Sequence, residues 1–251
     1  MTNDPLSVLT DLHAAVDAVF FALENHDDWG FSGNRPDQYT FDVVADSAIR
    51  EVLSYNGYGL LSEESPMVPA TKVGSPLVVV DPVDGSTNAF RQLPWFSTSL
   101  CAVDDQGPWV AVVANLANGN RYEAVRGDGA RSKEGKIFRT VVPELSDSLI
   151  AVSGLPKKNL GWGQFRNLGS AALALCAIAD GSLDGFVDCS EDAHGVWDYL
   201  GGMLICSEAG GLVVDAKGRE LCVRNSQERR TPVAGANLHL LKALLEGRQS
   251  F

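Results

Sequence analysis

Basic residues are scarce in this chain. Of 251 residues, 20 are Lys or Arg against 32 Asp or Glu, a formal net charge of -12. No run of Lys or Arg forms a stripe able to track a phosphate backbone, so neither nucleic acid nor an anionic membrane is expected as a partner. The five cysteines (Cys101, Cys176, Cys189, Cys206, Cys222) include no C-x-x-C pair, and no His or Cys stands at metal-ligand spacing. They read as reduced thiols of a cytoplasmic protein, and a metal held by sulfur or imidazole is excluded. The longest unbroken apolar stretch, Ala171 to Ala179, is too short to span a bilayer, and Thr2-Asn3-Asp4-Pro5 does not begin a secretion signal. Repeats, low-complexity tracts and linkers are also missing, which predicts one domain over residues 1–251. Its N-terminal half, about 1–152, would hold two helices and an antiparallel sheet; an α/β half, about 153–251, would follow.

With 45% hydrophobic residues, the chain can bury a sizeable core unaided, so a metal here would be catalytic rather than structural. Apolar residues at helical spacing predict helices over about 6–25, 42–55, 170–180, 197–209 and 238–246. Strands are expected at 60–64, 77–81, 98–103, 109–116, 121–126, 137–141, 149–152, 185–188, 212–215 and 232–236, with the short links of the middle segment favouring antiparallel pairing. The predicted class is a layered α/β fold rich in antiparallel sheet.

The most informative segment is Asp81-Pro-Val-Asp-Gly-Ser-Thr-Asn88, directly after the apolar run Leu77 to Val80. Two carboxylates leave a buried strand at a sharp turn, followed by Gly85 and Ser86, whose N–H groups would receive an anion. Glu63 and Glu64 at another strand end, Asp46 on the second helix and Asp198 after Trp197 complete a set of six acids. Gathered without counter-ions they would raise each other's pKa values, so the pattern implies bound cations, and all-oxygen donors favour Mg²⁺. Phosphate monoester hydrolysis needs up to about 10²¹-fold acceleration, of which one acid-base group supplies about 10² to 10⁴. Paired metal ions are the natural source of the remainder. His194, with no carboxylate in sequence reach, reads as a packing or capping residue.

The Asp81–Asn88 turn, Ser62-Glu-Glu-Ser65, Arg166-Asn-Leu-Gly-Ser-Ala-Ala172 and Trp197-Asp198 with Glu208-Ala-Gly-Gly211 together resemble the inositol monophosphatase family of Mg²⁺-dependent, Li⁺-sensitive phosphatases. The resemblance implies an alternating α-β-α-β-α sandwich, a homodimer, and two or three Mg²⁺ per site. It implies that Asp81 bridges two metals, that Glu63 and the Val83 carbonyl complete the first site, and that Asp84 and Asp198 complete the second. Glu64 would hold metal water. Asp46, hydrogen-bonded to Ser86, would activate the attacking water. The Gly85 and Ser86 amides would cradle phosphate, and Gly169, Ser170 and Ala171 would line the sugar side. The chain is longer than inositol-specific members between Asp184 and Trp197, so the acid gripping substrate hydroxyls is either Asp188 or Glu191. Arg35 stands where members often carry a flap lysine. The implied substrate is a small phosphorylated metabolite, with inositol 1-phosphate first. Fructose 1,6-bisphosphate, histidinol phosphate and a 3',5'-bisphosphate nucleotide are the alternatives, and a metal-dependent binding or regulatory protein is the non-enzyme one.

Overall fold

The computed structural model describes residues 4–137 and 143–249. Helix α1 (Pro5–Glu24) starts at Asp4, whose carboxylate accepts from Ser7 N, and α2 (Thr40–Asn56) stops at Gly57, where φ is 86°. Seven strands follow: β1 (Gly59–Ser62), β2 (Leu77–Asp84), β3 (Ser97–Asp104), β4 (Gly107–Asn115), β5 (Arg121–Val125), β6 (Gly129–Ser132) and β7 (Gly135–Ile137), with the short helix α3 (Ser86–Phe90) after β2. They form one sheet in chain order. The second half supplies β8 (Leu149–Ser153), β9 (Gln164–Arg166), α4 (Ala171–Asp180), β10 (Gly185–Asp188), α5 (Val196–Glu208), β11 (Leu212–Asp215), β12 (Pro232–Gly235) and α6 (Leu238–Arg248). Its sheet runs β11-β12-β10-β8-β9.

Strand alternation sets the layers. Val78 and Val80 point to the face where Leu12, Val16, Ile49 and Leu53 of α1 and α2 are buried. Val79, Cys101 and Val113 point the other way, into a core with Leu175 of α4 and Leu200 and Leu204 of α5. The second sheet turns Ile150, Val152, Val187 and Val233 outward against Leu240, Leu241 and Leu244 of α6. The result is the α-β-α-β-α sandwich, each face closed by period-2 strands against a 3.6-period helix stripe. In the middle layer α5 lies very close to its neighbours. A Cβ on Gly201 would sit 2.7 Å from Ser99 Oγ, and one on Gly202 2.7 Å from the Ala172 carbonyl.

Several expectations change. Pairing is not uniformly antiparallel, because β1 runs parallel to β2, and β8 runs parallel to both β9 and β10. Strands β6 and β9 were not anticipated. The strand expected at 137–141 contributes Ile137 to β7, and its other positions lie outside the described residues. Helix α1 is long and apolar enough by length and composition to cross a membrane, which a search for unbroken apolar runs overlooks. Its Val8, Leu12, Ala15, Val16 and Val19 are buried.

Candidate active site

Parallel pairing of β1 with β2 places Ser62 opposite Val80, so the residues that follow, Glu63 and Asp81, emerge side by side at one sheet end. The Glu63 amide donates to the Val80 carbonyl at 3.2 Å. β2 continues to Asp84 with a break in its register against β3 between Asp81 and Asp84; such a break re-aims side chains. Asp198 is the third residue of α5, and its carboxylate accepts from Gly195 N at 2.7 Å. Carboxylate oxygens of Glu63, Asp81 and Asp198 all lie within 4.8 Å of one another.

This arrangement is electrostatically costly. Burial pushes the Glu63 carboxyl well above the usual range, followed by repulsion from Asp198, Glu64, Asp84 and Asp42. Asp81 is raised for the same reasons, burial first and Glu63 second. Asp84 is pushed up to about 7 by burial and by Asp198, against the opposing hydrogen bonds from the Ser170 hydroxyl and Ala172 N, at 2.6 and 2.8 Å. Asp198 is raised by burial despite His194 and the Gly195 amide. Asp81 Oδ1 is buried without any hydrogen-bond partner. Unpartnered oxygen and mutual repulsion both fit a hard divalent cation held by Glu63, Asp81 and Asp198.

Because these carboxyls have folded-state pKa values above their unfolded ones, the metal-free fold binds extra protons from about pH 4 upward, to about 7 at Asp84. This contribution to stability is full at low pH and is lost as pH rises through about 7. A divalent cation bound by these carboxylates would displace those protons, so its apparent affinity should rise with pH. Thermal melts with and without Mg²⁺ are expected to differ more at pH 8 than at pH 6; a shift independent of pH would contradict a carboxylate site.

The turn is held by glycines. Gly85 has φ of 95°, and a Cβ there would lie 3.0 Å from the Gly169 carbonyl and 3.1 Å from that of Trp95. Asn88 Nδ2 donates to the Trp95 and Leu168 carbonyls, each at 2.7 Å, tying the turn to the loop before α4. Ser170 caps α4 by accepting from Leu173 N at 3.2 Å while donating to Asp84. Gly85→Ala should therefore cost about 1–3 kcal/mol. An unchanged midpoint in denaturant unfolding would refute the strain argument.

The expected bond between Asp46 and Ser86 is not formed. Asp46 instead accepts from the Ser62 hydroxyl at 2.5 Å, and Ser86 Oγ donates to the Val83 carbonyl at 2.9 Å. The helix-two acid beside Ser86 is Asp42, one turn earlier on α2. It accepts from Tyr39 N at 3.0 Å and leaves Oδ1 buried and unpartnered. Burial pushes Asp42 up to about 7, with Glu64 adding and the Tyr39 amide opposing. Glu64 is gripped by Arg35 and Gln38, so its charge is already compensated. Arg35 also donates to the Glu63 carbonyl at 3.2 Å.

A cavity of about 260 Å³ opens beside Asp84 and Asp198, lined among others by Gly169, Ser170, Ala171, Asn167 and His194. Neither Asp188 nor Glu191 lines it. Asp188 is fully buried behind His194, accepting at 2.8 Å from its Nδ1, and the Glu191 side chain is 77% exposed, 3.9 Å from Lys217 Nζ. His194 is thus a cavity residue with a carboxylate partner, not a lone packing histidine.

A model of the inositol monophosphatase family matches residues 38–249. The chain belongs to that family. It is 35% identical over 225 residues to "Inositol-1-monophosphatase" of Rhizobium meliloti, covering 82% of this chain and 80% of the relative. It is likewise 35% identical over 213 residues to "Fructose-1,6-bisphosphatase/inositol-1-monophosphatase" of Thermococcus kodakarensis, covering 82% and 80%. Among solved structures, the extragenic suppressor protein suhB of Bartonella henselae superposes with a TM-score of 0.80 at 26% identity, covering 98% of each chain. The family and these relatives indicate a phosphatase.

Proposed function

We propose that this family member is a Mg²⁺-dependent phosphomonoesterase acting on a small sugar or polyol phosphate, with inositol 1-phosphate as its leading substrate. The observation that carries this reading is the cluster of Glu63, Asp81 and Asp198 with an orphaned buried oxygen, beside a polar cavity of about 260 Å³. Glu63, Asp81 and Asp198, with Asp84 and the Val83 carbonyl, would hold the ions. When bound, these polarise the phosphoryl oxygens and activate water. Asp42, beside Ser86, receives the proton of that water, a role that replaces the one expected of Asp46. Gly85 and Ser86 present backbone N–H groups to the phosphate. Gly169, Ser170 and Ala171 wall the space for the alcohol. Li⁺ inhibition, a homodimer and a cytoplasmic setting accompany this proposal.

The test is phosphate release from inositol 1-phosphate, fructose 1,6-bisphosphate, histidinol phosphate and adenosine 3',5'-bisphosphate, each with and without Mg²⁺. Mg²⁺-dependent release from inositol 1-phosphate is the expected result. Preference for fructose 1,6-bisphosphate would favour the second reading, which the name of the Thermococcus relative supports. Folded protein that binds Mg²⁺ yet releases nothing would support a binding or regulatory role instead.

A further inference from the structure

We propose that His194, oriented by Asp188, selects the alcohol part of the substrate by hydrogen-bonding a free hydroxyl, so that the site prefers polyol phosphates over phosphates of alcohols lacking one. This rests on the phosphatase reading above. The imidazole spends Nδ1 on Asp188 Oδ2 at 2.8 Å, and among the described residues its Nε2 has no hydrogen-bond partner. Asp188 is itself immobile: it has no exposed surface, its Oδ1 accepts from Ser190 N at 2.9 Å, and its carbonyl accepts from Arg248 Nε at 2.7 Å. Phe186, which also lines the cavity, meets the ring edge-on at 6.1 Å. With Nδ1–H directed at a carboxylate, Nε2 is the atom of the ring left for substrate: protonated, it donates to a hydroxyl oxygen, and neutral, it accepts a hydroxyl proton.

The loop that delivers His194 is over-determined. His194 and Arg230 exchange backbone hydrogen bonds at 3.2 and 2.9 Å. Asp192 takes the left-handed conformation, φ 49°, and is clamped by Lys217 at 2.9 Å, Arg219 at 2.6 Å and its own amide to Thr231 Oγ1 at 2.9 Å. The same clamp turns Glu191 outward toward Lys217. Glu191 is kept out of the cavity while an imidazole is held in it, so the hydroxyl contact expected of a loop acid falls to His194.

A site built around one substrate hydroxyl loses more with an analogue that lacks it than with a smaller apolar group, because a polar atom is left unpaired. The measurement is the ratio of kcat/KM for inositol 1-phosphate to that for phenyl phosphate, a probe with no hydroxyl. His194→Leu should lower this ratio about 10- to 100-fold, mainly through KM, and His194→Gln should restore part of it. The ratio comes from one preparation, so a partly misfolded variant does not distort it. In an Asp42→Asn background with Mg²⁺, the Kd for inositol 1-phosphate should rise on His194→Leu more than that for phenyl phosphate. An unchanged ratio, or equal loss on both substrates, would overturn the assignment and leave His194 a scaffold residue. Absence of Mg²⁺-dependent hydrolysis of either substrate by the unsubstituted protein would instead refute the phosphatase reading, while the paired Kd measurements would still decide the role of His194.

Discussion

Replacing Asp81 with Asn is expected to lower Mg²⁺-dependent phosphate release on the order of 10³-fold or more, and at the same time to raise the melting temperature of the metal-free protein at pH 7. The two effects have one cause. Asp81 is almost fully buried, lacks a partner for Oδ1 and is repelled by Glu63, Asp84 and Asp198. Removing its charge relieves the apo fold, and the new amide can donate to a neighbouring carboxylate. An ordinary structural aspartate would behave in the opposite way, because its loss would strand buried donors and destabilise the chain. Activity assays and metal-free melts on the same preparation separate the cases. A destabilised variant that retains turnover would remove Asp81 from the metal set.

Asp42→Asn and Asp46→Asn should part company. The first is expected to lower kcat about 10²- to 10⁴-fold, the range for losing a general base, with Mg²⁺ binding retained. Burial raises the Asp42 carboxyl to about 7, and only its deprotonated form can accept a proton. At Mg²⁺ concentrations that saturate the site at every pH, kcat should therefore rise with pH through the Asp42 titration, and that part of the acidic limb should be lost in Asp42→Asn. Asp46→Asn perturbs one buried hydrogen bond, from the Ser62 hydroxyl, and should cost about 1 kcal/mol of stability with kcat nearly intact. If the losses were reversed, the proton acceptor would be Asp46 after all.

These two residues show where sequence reading reached its limit. Both are acids on one face of α2, four positions apart and buried, so helical spacing brings either within reach of the same end of the sheet. What separates them is the third position of the helix. Asp42 folds back on the Tyr39 amide at the α2 start, whereas Asp46 lies a turn deeper and meets Ser62. The layered architecture was legible because alternation along Val78, Val79 and Val80 and helical stripes such as Leu12 and Val16 are long-range patterns. Strand β9 was not, since its three exposed residues carry no burial signal. The parallel β1–β2 pair was hidden because residues 63–76 carry the chain back before β2 begins, which a reading of short links does not foresee. The place of His194 in the cavity was hidden for a similar reason. Its partner Asp188 is six residues earlier, at the end of a strand, and the clamp on Asp192 together with the His194–Arg230 backbone pair folds the intervening loop so that the two side chains meet.

The glycine pair of α5 opens a route by which activity could be lost with every site residue still in place. Three of the carboxylates that would bind metal (Glu63, Asp81 and Asp84) ride on the first sheet, whereas Asp198 rides on a helix whose distance from that sheet is set by the bare backbone at Gly201. A single methyl group at 201 would act as a shim, spreading two halves of one chelate that are each correctly built. Such a protein would fold, keep every acid, and still fail to gather them. Its defect would resemble the effect of a chelator more than that of a lost side chain.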